Sequence, residues 1–247
     1  MTLLQRCQLS VALLAVPEAR AGADDEKQGT WLQAFALKLA LRTLPTISRQ
    51  HAWHPGAYPS PACPRCDTGE AETWEHVVLC PANAADAKQM IREKAERAAM
   101  GAVEAVNASR EEEEPPRPRV VAGEAAHTLV PPSPAEDVGF LLGIPANSHL
   151  DGLKALGLRK DERDSIARAA TTAALQATHA LIWRPRCDEV AERLGTWRER
   201  IRDAHASPPR QHQRPRTSEA PRTGWQKANS LPSTDTYQPR VELLWRP

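Results

Sequence analysis

The chain has 247 residues, a formal charge of +1 and a mean hydropathy of −0.53, with aromatics at 4% and 22 prolines. Alanine supplies much of the 41% hydrophobic fraction, and it buries little area against the cost of ordering the backbone, so one large core is not expected. The near-zero charge excludes a general attraction to nucleic acid or membrane, and five cysteines, sparse and clustered, exclude a spread-out disulfide framework.

The first 27 residues carry an apolar run from Leu9 to Val16, broken by Ser10 and ending near Ala19-Arg20-Ala21. It is too short and interrupted for a secretory leader and reads as a helix segment. No stretch has the length of a membrane span, so an intracellular place, nuclear or cytoplasmic, and no membrane partner are expected. Residues 28–46 read as a helix, with Trp31, Phe35, Leu39 and Leu32, Leu37, Leu41 near a 3.6 period, closed by Pro45. HAWHPGAYPSPA, with three prolines and a glycine, is a loop leading into Cys63.

After Pro81 a second helical run places Met90, Ile91, Ala95 and Val103 in a thin apolar stripe. Residues 28–106 thus form one helical module. Then EEEEPPRPR joins four like charges to proline-rich chain, so 107–150 is expected to be a disordered linker with brief order at Val138–Leu142. A second helical segment spans 151–205. Its first part sets Ile166, Ala169, Ala173, Ala177 and Leu181 on one face. Pro185 interrupts it, and Val190, Leu194, Trp197 and Ile201 resume the helical spacing. Residues 206–247 are again proline-rich and mildly basic, which predicts a disordered tail. The fold class is mainly α.

The chemistry sits in CPRCDTGEAETWEHVVLC, residues 63–80. Cys63 and Cys66 form a C-x2-C knuckle, in which a tight turn lets two thiolates face one ion. His76 and Cys80 are one helical turn apart and share a face. Thr73 stands where a helix N-cap belongs. The set C-x2-C-x9-H-x3-C offers three sulfurs and one imidazole, a closed tetrahedral shell suited to structural Zn²⁺. A closed shell leaves no place for a catalytic water, so neither Glu72 nor Glu75 would serve as its base. Buried thiols beside a core histidine, or a redox-active cysteine pair, are the competing readings of the same residues. A core this small predicts folding coupled to the metal.

Elsewhere nothing resembles an active site. His51 and His54 fall in a loop, Cys7 and Cys187 lack partners at ligand spacing, and His127, His149 and His179 lie apart from any acid–base pair. No glycine-rich phosphate loop or nucleophile elbow is present. No catalytic residue is expected.

LRTLPT (41–46), CPRC (63–66) and ETWEHVVLCP (72–81) together resemble the zinc-binding tail that follows the polymerase in reverse transcriptases of non-LTR retrotransposons, those of fungal elements above all. HALIWRPRCDEV (179–190) is similar to a later segment of the same tails. The resemblance covers a little over half the chain and implies that Cys63, Cys66, His76 and Cys80 hold zinc and that the module helps position RNA or DNA. It implies either packing or base stacking for Trp74. GADD (22–25) has glycine where the polymerase turn has an aromatic, and it reads as an acidic loop. The chain shows no polymerase palm and no nuclease carboxylate set, so the implied role is non-catalytic, in a drifted or degenerate derivative of such an element. A zinc-dependent protein-interaction adaptor is the alternative.

Overall fold

The computed structural model describes residues 23–113 and 115–206. The helix segment expected before residue 23, Cys7 and the basic tail from 207 onward lie outside the described residues.

Helix α1 (Ala23–Ala40) takes in the acidic Ala23-Asp24-Asp25, so that stretch is helical and not a loop. It buries Leu32, Phe35, Ala36 and Leu39, at i, i+3, i+4 and i+7, while Leu37 and Leu41 face outward. The helix ends before Pro45 because Arg42 turns left-handed (φ 52°), and the Thr43 N–H bonds back to the Lys38 carbonyl at 2.7 Å. This is the geometry of a Schellman ending, with arginine where glycine is usual. Helix α2 (Ile47–Trp53) follows at once.

The segment from Pro61 to Glu72 closes on itself through an isolated bridge between Ala62 and Ala71. The Cys63 N–H donates to the Glu70 carbonyl (2.8 Å), and the Glu72 N–H donates to that of Pro61 (2.9 Å). Gly69 supplies the positive φ of the turn. Helix α3 (Trp74–Leu79) begins at Thr73, whose hydroxyl accepts the His76 N–H at 3.2 Å, the cap expected from the sequence.

Helix α4 (Ala87–Glu111) is the long axis of the core. Its buried face runs Ala87, Ile91, Ala95, Ala99, Val103, then Asn107 and Arg110, at four-residue steps until the last. Met90, expected on that stripe, is partly exposed instead. The face packs against α8 (Lys160–Thr178), which buries Ile166, Ala170, Ala174 and Ala177. Ala169 and Ala173, expected on that face, are turned aside by one residue. Alanine on both sides lets two helix backbones approach closely, so little apolar volume is needed to fill the seam.

The linker expected over 107–150 is ordered. It contains α5 (Ala122–Leu129), α6 (Val138–Leu141) and the first turn of α7 (Asn147–Ala155). Leu129, Ala135, Phe140 and Leu141 are fully buried in the same core as α1, α4 and α8, so the two expected islands share one core. Charges that should have kept this segment solvated find partners: Glu111 pairs with Arg119 and Glu113 with Arg159. Arg110, 2% exposed, forks onto Glu162 (2.9 and 2.6 Å) and donates to the carbonyls of Pro118 and Gly157. Arg117 joins Glu162 at 2.9 Å, and Arg159 reaches Glu113 at 3.0 Å. Asn107 pairs its amide with both backbone groups of Val120, at 2.8 and 2.9 Å, as a neighbouring strand would.

Pro185 does not interrupt the last helical run. One π-helical turn, His179–Trp183, separates α8 from α9 (Arg184–Leu194), and the Arg184 N–H reaches the His179 carbonyl. Proline then falls in the first turn of α9, where its missing N–H leaves no interior gap. The break comes at Gly195 (φ 75°). Thr196 and Glu199 form a reciprocal cap for α10 (Trp197–Ala206), so Leu194 and Trp197 are exposed rather than on one buried stripe. Among the described residues no helix is long and apolar enough to cross a membrane.

Candidate metal centre

Cys63 and Cys66 come from the bridged turn, His76 from the first turn of α3, and Cys80 from its end. One donor atom from each lies within 4.8 Å of all the others, so the four form a group that could hold a metal ion. All three cysteines are free thiols. Cys63 Sγ and Cys80 Sγ are 3.9 Å apart, and Cys66 Sγ is 3.3 Å from His76 Nε2. A tetrahedral ion with metal–sulfur bonds of about 2.3 Å sets sulfur–sulfur edges of about 3.8 Å. The donor chemistry and these edges therefore fit a four-coordinate soft-to-borderline dication.

The protonation of the thiols follows from their surroundings. Burial pushes Cys63 up to about 12 and raises Cys80 as well. The Thr68 hydroxyl, 3.2 Å from Cys66 Sγ, brings Cys66 down to about 6 despite some desolvation. A buried thiol held neutral is a poor nucleophile, whereas a bound dication favours the thiolate and offsets the same burial.

Around the donors lies a layer the sequence reading missed. Glu70 Oε2 meets His76 Nδ1 at 2.9 Å, which fixes the ring and leaves Nε2 facing Cys66 Sγ. Arg65, inside the C-x2-C turn, donates to Glu189 Oε2 (2.6 Å), Asn83 Oδ1 (2.8 Å) and the Ala82 carbonyl (3.3 Å). Asn83 in turn donates to the carbonyls of Val77 and Val78 near the end of α3. From α9, Arg193 donates to the Pro64 carbonyl at 2.7 Å. The Cys63–Cys66 turn is thus tied to α9 directly, and α3 to that turn through Asn83.

Glu72 is fully buried, with its carboxylate engaged by Arg186 and by the start of α2. Arg186 donates to both carboxylate oxygens, with Nε–Oε1 at 2.8 Å, and the Ile47 N–H at the start of α2 donates to Oε2 at 2.6 Å. Glu75 is exposed. Trp74 packs into the core beside Phe35 and Trp183, ring centroids 6.4 Å from each. Its role here is packing.

The remaining candidates stay apart from the cluster. His51 Nδ1 meets the Tyr58 carbonyl at 2.6 Å, and His127 faces Glu96. His179 stacks between Trp31 and Phe35, where burial lowers its pKa. Cys187 is a largely buried thiol, its pKa raised by burial. Residue contacts such as Arg65–Glu189 leave no periodic signal in a single sequence, which is why local spacing found the donors but not their supports. No family model matches the chain, and neither a curated protein nor a solved structure is similar to it.

Proposed function

We propose that this chain carries a non-catalytic structural-zinc module of the kind found in the tails of non-LTR retroelement reverse transcriptases, and that it binds RNA or DNA. The convergence of Cys63, Cys66, His76 and Cys80 within 4.8 Å carries the reading. With four protein donors the ion has no vacancy for water, so the metal braces the turn and α3 rather than activating a nucleophile. A second observation supports the retroelement reading. Three of the stretches that carry the resemblance, 63–66, 72–81 and 179–190, meet through Arg186–Glu72 and Arg65–Glu189.

Metal analysis of purified protein tests the first half: one equivalent of zinc is expected. Cobalt substitution should give a three-sulfur tetrahedral spectrum unmoved by added anions. Absence of stoichiometric zinc, or unchanged affinity after His76→Ala with Cys80→Ala, sinks it. Mobility shifts with RNA and DNA across a salt series test the second half, since phosphate contact falls steeply with salt. The exposed Leu37 of α1 and Leu41 just beyond its end favour the adaptor reading, and no shift even at low salt would support it.

A further inference from the structure

A Zn²⁺ ion with three thiolates and a neutral imidazole leaves the cage net anionic, so nucleic-acid phosphates must be met elsewhere. We propose that the face made by α2 and the start of α10 binds single-stranded nucleic acid, with Trp53 and Trp197 stacking on bases and Arg49 and Arg200 meeting phosphates. The proposal rests on the nucleic-acid reading above and gives it a surface.

Charge is the first argument. From Lys27 to Cys66 the sequence has no Asp or Glu, but it has Lys27, Lys38, Arg42, Arg49 and Arg65. Arg65 is neutralised by Glu189. Among the described residues, no ion pair to a carboxylate forms at Arg42 or Arg49. Arg49 donates through Nη1 to the Arg42 carbonyl (2.7 Å) and lies over the Trp53 ring at 4.1 Å. A one-signed run of this kind suits a polyanion.

The indoles are the second argument. Trp53 is 53% exposed and Trp197 47%. They belong to one neighbourhood, because His54, next to Trp53, meets Trp197 edge-on with centroids 6.4 Å apart. Exposed aromatic faces beside cations are what unpaired bases stack on, and a duplex keeps its base faces hidden.

Arg200 is the third. Its guanidinium sits over Tyr58 at 4.3 Å, and Tyr58 packs with Ile47 of α2. Nε and Nη1 are buried without a hydrogen-bond partner. Burial and the nearby Arg186 both penalise the charge, lowering the pKa of Arg200. The neighbouring acid, Glu199, is turned back onto the Thr196 N–H and hydroxyl. Those two nitrogens face inward, so a phosphate would meet the guanidinium from the Nη2 side and supply the missing counter-charge.

The test uses zinc-loaded full chain and fluorescein-labelled oligo(U) and oligo(dT), read by anisotropy. Trp53→Ala and Trp197→Ala should each weaken binding on the order of tenfold, and Arg49→Gln should lower the salt slope by about one. Met100→Ala, on the outer face of α4, should bind as wild type. Far-UV circular dichroism and the cobalt spectrum confirm that each variant is folded. If wild type binds and the tryptophan variants bind equally well, this surface is wrong while the broader reading stands. Duplex competing as well as single strand also overturns the stacking proposal. If wild type binds neither oligomer, the nucleic-acid reading itself fails.

Discussion

Arg186 and Glu72, 114 residues apart in sequence, form a buried two-pronged ion pair that joins the last helical run to the metal turn. Glu72 also holds the N-terminus of α2 through the Ile47 N–H, so one carboxylate organises two elements. Removing one partner of such a pair strands the other charge, which costs about 3–5 kcal/mol. Arg186→Leu should lower stability by this order in urea unfolding. Arg186→Leu combined with Glu72→Met should recover much of the loss, since no charge is then left unpaired. If the double variant is as unstable as the sum of the singles, the pair is not the cause.

Glu70 has a narrower effect. It is mostly exposed but fixes His76 at Nδ1, so Glu70→Gln should leave the fold intact and lower metal affinity about 10–100-fold. Competition with a chromogenic chelator reads this directly. Equal affinity would show that His76 is oriented without it.

The four donors were legible because their geometry is local: a two-residue turn sets one pair and a helical repeat sets the other. The order of 107–150 was hidden because its pairing is remote. Glu113 finds Arg159, Arg117 finds Glu162, and Asn107 finds Val120 across a turn. A run of glutamates followed by prolines looks self-repelling until those partners are in place. On α8, Ile166 and Ala177 fall on the buried face as expected, while Ala170 and Ala174 take the places expected of Ala169 and Ala173, because periodicity distinguishes poorly among identical small side chains.

That shared core changes the expected response to a chelator. Folding coupled to metal followed from a small isolated module, but α1, α4, α8 and the 107–150 segment are packed in one core. Chelation should therefore alter near-UV signals from Trp74 and its neighbours and lower the melting temperature, while most far-UV helical signal survives. Complete loss of helicity would mean that the knuckle holds up the entire fold.

Acid should attack a different point. The Arg110 fork holds Glu162 down to about 2, against an ordinary value of 4.5, with further help from the Arg159 N–H and Arg117. The folded state thus prefers the ionised form, and the unfolded chain binds the proton more readily. This stabilisation is complete above about pH 4.5 and disappears as pH falls toward 2, a total of at most about 3 kcal/mol. Glu162→Gln should lower stability at neutral pH and flatten the acid limb of the stability–pH curve in that window. A curve that keeps its slope there would place the acid sensitivity in other carboxylates.

The α4–α8 seam gives the sharpest test of the fold itself. Ala95 and Ala99 are wholly buried on the face that meets α8. Close backbones leave no room for three added carbons, so Ala95→Leu should destabilise by about 1–3 kcal/mol through overpacking, although leucine is a good helix former and more apolar. Met100→Leu, partly exposed on the same helix, should be nearly neutral and serves as the comparison. Thermal unfolding of the two variants separates packing from propensity. If Ala95→Leu raises the melting temperature, the seam is looser than these helices place it, and an apolar side chain there gains more from burial than it loses to crowding.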